Sequence, residues 1–218
     1  MEIKWLGHAA FLLTTGTGTK VITDPYVPGA YDGAVGYAPI NEFADIVTVS
    51  HDHADHNGVR DLPGSPEVVR GKGNWTIKDV KISGVDTFHD PNQGRERGRN
   101  TIYLFETEGL RVAHLGDLGH IPDDATLKAL GRVDILLVPV GGVFTIDARQ
   151  AGELVRKINP RVVIPMHYKT PKLGFAIARV EDFFKVAPGV KRMGSSAVEV
   201  KVATLPKETE TWVLDPAL

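Results

Sequence analysis

The stretch of residues 50–58, SHDHADHNG, constrains this chain most, because it holds three of the eight histidines within six consecutive positions. Such a cluster is a poor structural segment, since each imidazole has a polar edge that needs a partner and His and Asp both favour helices weakly. Metal coordination is the commonest reason to accept it. The stretch therefore predicts a metal site.

The composition limits what such a site can contain. The chain has no cysteine, which excludes disulfides, thiolate metal ligands and a cysteine nucleophile. A transition metal must then be held by histidine and carboxylate. The 25 Lys and Arg residues against 27 Asp and Glu give a net charge of -2, so no strong positive field attracts nucleic acid. We expect a small-molecule substrate instead of nucleic acid.

The length and hydropathy of the chain favour one ordinary globular unit. Its 218 residues, 42% of them hydrophobic, predict a single domain over residues 1–218 with a sizeable core. The N-terminal stretch lacks a basic leader and a cleavage site, and no segment approaches the ~18 apolar residues of a membrane span. We expect a cytoplasmic protein without a membrane segment, and a homo-oligomer stays open.

The pattern of apolar runs predicts a mixed α/β layered fold with polar clusters at strand ends. The run at residues 44–50, ADIVTVS, predicts a buried strand that ends at the histidine cluster. Helices are predicted at residues 123–130, at about 146–158 with Thr145 as the N-cap and Pro160 after the end, and near 180–186. The other predicted strands are residues 1–5, 11–14, 20–23, 67–70, 75–77, 80–85, 101–106, 111–115, 133–140, 161–167, 197–202 and 211–214.

The spacing within the cluster favours two metal ions. His51 and His53 are two residues apart on an extended backbone, so both rings can point to one side and clasp one ion. The adjacent Asp55 and His56 diverge in direction, which suits a second ion. Three residues that follow strand-like runs can supply the remaining ligands, and the carboxylate among them can bridge both ions. These residues are His89, Asp117 and His167.

Taken in order, these residues resemble the metallo-β-lactamase superfamily. The match consists of an HxHxDH motif, a later isolated His, a Gly-Asp after a strand, a final strand-end His and an early strand-end Asp. The segments WLGHAAFLL, VITDPY and VVIPMHYKT further resemble the branch that contains the ascorbate-6-phosphate lactonases. The resemblance implies a four-layer αββα sandwich with the site along one edge of its two sheets. The matching positions are Asp24, His51, His53, Asp55, His56, His89, Gly116, Asp117 and His167.

The resemblance also implies how the ligands divide between two divalent ions. His51, His53 and His89 would bind one metal, Asp55, His56 and His167 the other, and Asp117 would bridge them. Asp24 would hydrogen-bond a ligand and orient it. The all-nitrogen-and-oxygen set favours zinc or manganese and leaves nickel or iron open.

A metal-dependent hydrolase of a lactone, ester or phosphodiester is the leading interpretation. Two ions would lower the pKa of a shared water toward ~7, so that water is the nucleophile. The candidates for catalysis are Asp55, Asp117 and His8, the last as an acid, a hydrogen-bond donor or a partner of a ligand. Lactam-cleaving members carry Cys or Ser where this chain has Asp117, so antibiotic hydrolysis is not expected.

Four cationic or imidazole side chains are candidates for contacting an anionic substrate. The alternative is that they lie on surface loops and contact only solvent. A long irregular loop, residues 25–39, either lines the pocket with its tyrosines or only covers the surface. The four candidates are Arg97, Arg99, His120 and Lys169, and the tyrosines are Tyr26, Tyr31 and Tyr37.

Two alternatives to the leading interpretation remain. One is a phosphodiesterase or nuclease on the same fold. The other is a non-hydrolytic di-metal protein with a redox or regulatory role, most sharply an iron pair, since His and carboxylate ligands also suit iron.

Overall fold

A computed structural model describes residues 1–218 as two β-sheets and three short α-helices. The strands are β1 (Glu2–Gly7), β2 (Ala10–Thr14), β3 (Lys20–Thr23), β4 (Ile46–Val49), β5 (Glu67–Arg70), β6 (Gly73–Ile77), β7 (Val80–Phe88), β8 (Arg99–Thr107), β9 (Leu110–His114), β10 (Ile135–Pro139), β11 (Val162–Met166), β12 (Val190–Arg192), β13 (Ala197–Glu199) and β14 (Glu210–Val213). The helices are α1 (Asp124–Leu130), α2 (Ala148–Ile158) and α3 (Val180–Phe184). Single 3₁₀ turns lie at Val59–Asp61 and Val202–Thr204.

The strands that precede the predicted ligands all run in the same direction within their sheets. The first sheet has the order β13-β1-β2-β3-β4-β5, with two antiparallel pairs from β1 to β3 and a parallel pair β3-β4. The second has the order β12-β14-β11-β10-β9-β8-β7-β6. Two antiparallel steps align β7 with β9, and β9, β10 and β11 are parallel. Side chains after β1, β3 and β4 therefore share one sheet edge, and those after β7, β9 and β11 share another.

The core lies between the two sheets and under the helices. Trp5 and Phe11 of the first sheet belong to the same hydrophobic cluster as Phe105 of the second. Leu154 of α2 and Phe183 of α3 join this cluster as well. Every residue of β10 and β11 is buried, as expected for parallel strands that are covered on both faces. The predicted mixed α/β fold with two sheets is confirmed.

The outer face of the first sheet is covered by irregular chain where the resemblance implies a helical layer. Its cluster combines Leu12 and Val47 with Tyr26, Tyr37 and Leu173, which lie outside helices and strands. The Tyr26 hydroxyl donates to the carbonyl of Ala38 at 2.9 Å and so satisfies one loop carbonyl. The long loop after β3 is therefore part of the core, with two of its three tyrosines buried.

The structure corrects the N-cap of the second helix. The cap is Asp147 and not Thr145: the Asp147 carboxylate accepts from the Gln150 backbone N–H at 2.8 Å, and the Gln150 side chain accepts from the Asp147 N–H at 3.0 Å. The Thr145 hydroxyl donates instead to the carbonyl of Ile146. Two further differences lie near the C-terminus, where β13 ends at Glu199 and the short exposed β12 escaped prediction. None of the helices has the length and apolar character needed to cross a membrane.

We expect Asp147→Ala to lower the free energy of unfolding by about 1 kcal/mol, because it removes the capping box of α2. Chemical denaturation measures this change. Asp147→Asn serves as the control, since asparagine caps about as well as aspartate. Equal stability of the Ala and Asn variants would show that the cap contributes nothing.

Candidate metal centre

The ends of the strands bring the predicted ligands into two adjoining groups. The ligand atoms of His51, His53 and His89 all lie within 4.8 Å of one another. His51 Nε2 and His53 Nδ1 are 3.0 Å apart, which is the spacing of neighbouring nitrogens on one ion with bonds of about 2.0–2.1 Å. A second group with the same spacing consists of His8, Asp55, His56 and His167.

Asp117 lies between the two groups and faces both. Its Oδ2 is 3.3 Å from His89 Nε2 and 3.3 Å from His167 Nε2. Its Oδ1 is 3.2 Å from His56 Nε2. Oδ2 thus lies near both groups and Oδ1 near the second, so this one carboxylate is within reach of ions in both, as a bridging ligand must be.

Asp24 fixes the orientation of two of the histidines. Its carboxylate accepts from the Ser50 backbone N–H at 2.8 Å, from the Ser50 hydroxyl at 2.6 Å and from His56 Nδ1 at 2.8 Å. Because the Ser50 hydroxyl donates its only hydrogen to Asp24, it must accept from His51 Nδ1, which lies 2.9 Å away. These contacts call for a proton on Nδ1 of both imidazoles and leave Nε2 of each ring directed into the cluster, where a metal can bind.

Three residues of the site have left-handed backbones directly after their strands. His8, Asp24 and His167 have φ of 52°, 40° and 50°. Non-glycine residues rarely adopt positive φ. Each such residue costs about 1–3 kcal/mol and persists only where the surrounding structure enforces the conformation. The turn that each makes at its strand end directs the side chain into the cluster, so backbone strain is concentrated at the site.

Asn100, which the sequence reasoning did not single out, positions Asp117. Its Oδ1 accepts from the Asp117 N–H at 2.9 Å, while its Nδ2 donates to Thr87 and to the carbonyl of Leu115. A Cβ at Gly116 would lie 2.4 Å from that Oδ1, and Gly116 has φ of 54°. The Gly-Asp pair is therefore required by close packing as well as by the turn. No local pattern in the sequence marks Asn100, because it lies near the start of a strand of mixed polar and apolar residues and its role depends on residues distant in the chain.

Most groups in the cluster carry the charge that a metal site requires; the exception is His56, because Asp117 and Asp55 raise its pKa well above its usual value despite its burial. Burial raises the pKa of Asp117 and of Asp55, but the neighbouring His56 and other histidines outweigh it and hold both pKa values below their usual range. Burial, together with nearby imidazoles, lowers the pKa of His8 to about 4 and that of His51 to about 3. Ionised carboxylates and neutral imidazoles are the forms that coordinate metals.

The hydrogen bonding of the cluster is incomplete in a way that fits metal ions. Buried polar atoms almost always have a partner, and an unsatisfied one is costly. Of the eight buried side-chain polar atoms without a partner, five lie here. His56 Nε2 and Asp117 Oδ1 face each other at 3.2 Å without a hydrogen bond, and a cation between the groups would satisfy both. The five are His8 Nδ1, His56 Nε2, His89 Nδ1, Asp117 Oδ1 and His167 Nδ1.

Backbone groups engage two of the predicted substrate contacts, His120 and Lys169. His120 accepts from the Phe88 N–H at 3.3 Å and donates to the carbonyl of Ile121 at 3.1 Å. The Lys169 ammonium donates to the carbonyls of Leu173 and Phe175 and fastens that irregular segment. Both nitrogens of the His120 ring are therefore engaged, whereas the Lys169 ammonium uses two of its three N–H donors.

A cleft of about 640 Å³ opens beside His51 and His53 and contains both predicted arginines. Arg97 and Arg99 line it together with Arg70 and Lys72, against the acidic Asp52 and Asp86. Arg99 is 80% exposed and 3.8 Å from Asp86, so its charge is partly compensated. The cleft therefore carries an excess of positive charge next to the metal centre.

Comparison with known proteins gives consistent matches over most of the chain. A family model described as a beta-lactamase superfamily domain matches residues 2–167. A UPF0173 protein of Pyrococcus furiosus is 34% identical over 85% of this chain and 90% of its own length. A UPF0173 metal-dependent hydrolase of Thermococcus onnurineus is 30% identical over 78% of this chain and 85% of its own.

A solved structure from Thermotoga maritima, described as a zinc-dependent hydrolase of the metallo-beta-lactamase superfamily, is 39% identical with a TM-score of 0.80. The match covers 98% of this chain and 97% of that one. The match therefore extends over nearly the whole of both chains.

We expect Asp24→Asn to weaken metal binding by about 10–100-fold, measured by competition with a chelator. An amide nitrogen facing His56 Nδ1 would move the ring proton to Nε2, where the metal must bind.

Asp45→Asn is the matched control for Asp24→Asn, since the Asp45 carboxylate also accepts a backbone N–H but lies before β4, at the opposite sheet edge. Metal affinity equal to wild type in the Asp24 variant would refute the orienting role.

Proposed function

We propose that this protein hydrolyses a lactone, ester or phosphodiester bond of a small anionic molecule at a site for two divalent ions. The chain belongs to the metallo-β-lactamase superfamily and is a metal-dependent hydrolase. The observation that carries the proposal is the position of Asp117: its Oδ2 lies 3.3 Å from one histidine of each ligand group, and its Oδ1 lies 3.2 Å from His56. A single-ion site would have no use for a carboxylate between two such groups.

Each group supplies the donors for one ion. One ion would be held by His51, His53 and His89, and the other by Asp55, His56 and His167, with Asp117 shared. The histidines and carboxylates favour zinc or manganese, and zinc is the metal in the description of the Thermotoga maritima relative. When bound, the ion pair supplies Lewis acidity and lowers the pKa of a water molecule, so that water is the nucleophile.

His8 acts in this proposal as a positioning residue for Asp55. Its ring is fully buried, and its Nε2 lies 3.0 Å from Asp55 Oδ2. Tyr31 donates to the other oxygen of the same carboxylate at 3.2 Å. Both oxygens of the Asp55 carboxylate are therefore hydrogen-bonded, which fixes the direction of its remaining lone pairs. With its donor engaged in this way, His8 is a poor candidate for delivering a proton to a leaving group.

The electrostatics of the cleft support an anionic substrate. Arg70, Lys72 and Arg97 line the space next to His51 and His53. Guanidinium groups bind carboxylates and phosphates with paired hydrogen bonds. The electropositive cleft and the ions would attract the same substrate, so an anionic group away from the scissile bond would help to hold that bond at the metal centre.

Elemental analysis together with hydrolysis assays on a lactone, an aryl ester and a phosphodiester tests the proposal. We expect about two ions per chain in the wild type and turnover of at least one substrate. Asp117→Ala should lose the second ion and at least about 100-fold in activity, because the bridging carboxylate is gone.

Asp134→Ala is the matched control for Asp117→Ala. Asp134 is also a buried carboxylate in the second sheet, but it accepts from the Arg111 N–H before β10, at the edge opposite the metal centre. This variant should keep both ions even if it unfolds at a lower temperature. Two bound ions and full activity in Asp117→Ala would contradict the bridging role.

A further inference from the structure

Three aromatic rings and one guanidinium form a continuous arc at the mouth of the metal centre. Tyr31 packs edge-to-face on Phe175 at 5.5 Å between ring centroids, and Phe175 packs on Phe144 at 5.7 Å. The Arg97 guanidinium lies 5.8 Å from the centre of the Phe144 ring. We call these four residues the aromatic arc. They come from four separate loops, so only the tertiary fold brings them together.

The arc begins on the metal centre itself. The Tyr31 hydroxyl donates to Asp55, and the Phe175 ring lies 5.9 Å from the ring of His8. At its other end Arg97 lines the electropositive cleft beside His51 and His53. A molecule that spans the arc would therefore have one face on the aromatic rings and its reactive bond close to the ligand groups.

Two of the three rings of the aromatic arc are exposed to solvent. Tyr31 is 48% exposed and Phe144 is 36% exposed, with the adjacent Val143 at 62%. Aromatic side chains usually bury most of their area, and a contiguous exposed apolar patch in a soluble protein marks a binding surface. Here the patch adjoins the metal centre and ends on a positive charge, which suits a small charged ligand better than a large apolar partner.

The backbone holds the Tyr31 and Phe175 loops in fixed relation. The Gly36 N–H donates to the carbonyl of Lys172 at 2.8 Å, and the Gly174 N–H donates to the carbonyl of Ala34 at 2.6 Å. The Lys169 ammonium also binds the carbonyl of Phe175 at 3.0 Å. Two loops that would otherwise move independently are thus joined, so little ordering remains to be done when a ligand binds.

The Phe144 loop is fixed by a strained turn. The Phe144 N–H donates to the carbonyl of Gly142 at 2.7 Å, which closes a three-residue turn around Val143. Val143 has φ of 62°, a conformation that β-branched residues almost never adopt. The Ile146 N–H anchors the loop to the carbonyl of Leu118 at 2.8 Å. Strain of this kind persists where it places a side chain for function, and here the side chain is Phe144.

Arg97 is placed by the buried carboxylate of Asp90. That carboxylate accepts four backbone N–H groups, from Asn92 and Gly94 on one oxygen and from Glu96 and Arg97 on the other. The loop after β7 is therefore wound around Asp90. This organisation keeps the guanidinium between the Phe144 ring and the cleft. Its Nη1 lies 3.5 Å from the exposed Glu96 carboxylate, and its other N–H groups can pair with an anion.

We propose that the aromatic arc is the substrate-binding wall of this enzyme and that it takes a molecule with a planar apolar body and an anionic group, a carboxylate or phosphate, that pairs with Arg97. This assignment rests on the proposed function only for the position of the reactive bond. Stacking on Phe144 and Phe175 holds the body, and the guanidinium selects the charge.

Binding of three small probes to the full-length, metal-loaded protein tests the wall independently of turnover. Benzenesulfonate has a ring and a weakly coordinating anion, methanesulfonate has the anion alone, and benzyl alcohol has the ring alone. We expect benzenesulfonate to bind at least about tenfold more tightly than either of the others, measured by NMR titration.

Variants separate the two parts of the wall. Arg97→Gln should weaken benzenesulfonate at least about fivefold and leave benzyl alcohol unchanged, because only the charge is lost. Phe144→Ala should bring benzenesulfonate down to the affinity of methanesulfonate. Arg192→Gln is the matched control, since Arg192 also lies over a ring, that of Phe184 at 5.0 Å, but lines a cleft that contains no residue of the metal centre.

Equal affinity of the three probes for the wild type, or an Arg97→Gln effect no larger than that of Arg192→Gln, overturns the assignment. The metal content of each sample is measured alongside. A protein that binds benzenesulfonate selectively but holds no metal would keep the wall and defeat the proposed function. A protein that holds two ions but binds the three probes with equal affinity would refute the substrate-binding wall and leave the proposed function standing. Unchanged thermal unfolding midpoints show that each variant remains folded.

Discussion

The structure depends on one electrostatic constraint: three buried carboxylates, those of Asp24, Asp55 and Asp117, lie within one cluster and are held in the ionised form. Buried negative charge is tolerated only when positive charge or several donors oppose it. Asp24 meets this requirement with three donors. Asp117 does not, since its Oδ1 has no partner. Positive charge is instead drawn to His56: although the ring is buried, Asp117 and Asp55 raise its pKa well above its usual value. Divalent ions would supply that charge more completely.

The topology explains how distant parts of the chain meet this constraint. Six strands of common direction within their sheets end at the site, and the loops that follow them are long enough to return over it. The loop after β3 first contributes Asp24 and then Tyr31. The loop after β7 contributes His89 and then Arg97, and the loop after β11 contributes His167 and then Phe175. In these three loops a residue of the candidate metal centre is followed by a residue of the aromatic arc, which couples the position of one to that of the other.

Much of the centre could be predicted from the sequence because its ligands follow recognisable strands and have a characteristic spacing. The HxHxDH motif and the strand-end positions of His89 and His167 are local signals of this kind. Asn100 and Phe175 carry no such signal, because their roles exist only through contacts with residues distant in the chain. Lys169 has the charge of a substrate contact, yet the carbonyls that occupy it come from an irregular segment whose path no local pattern fixes. The irregular chain that covers the outer face of the first sheet could not be predicted for the same reason, since no local sequence pattern fixes its path.

A crystal structure with anomalous scattering recorded at the absorption edges of zinc and manganese tests the central claim most directly. We expect two peaks, one about 2 Å from nitrogens of His51, His53 and His89 and one about 2 Å from ligand atoms of Asp55, His56 and His167, with an Asp117 oxygen bonded to each. A single peak that Asp117 does not touch, in crystals grown with excess metal, would contradict it.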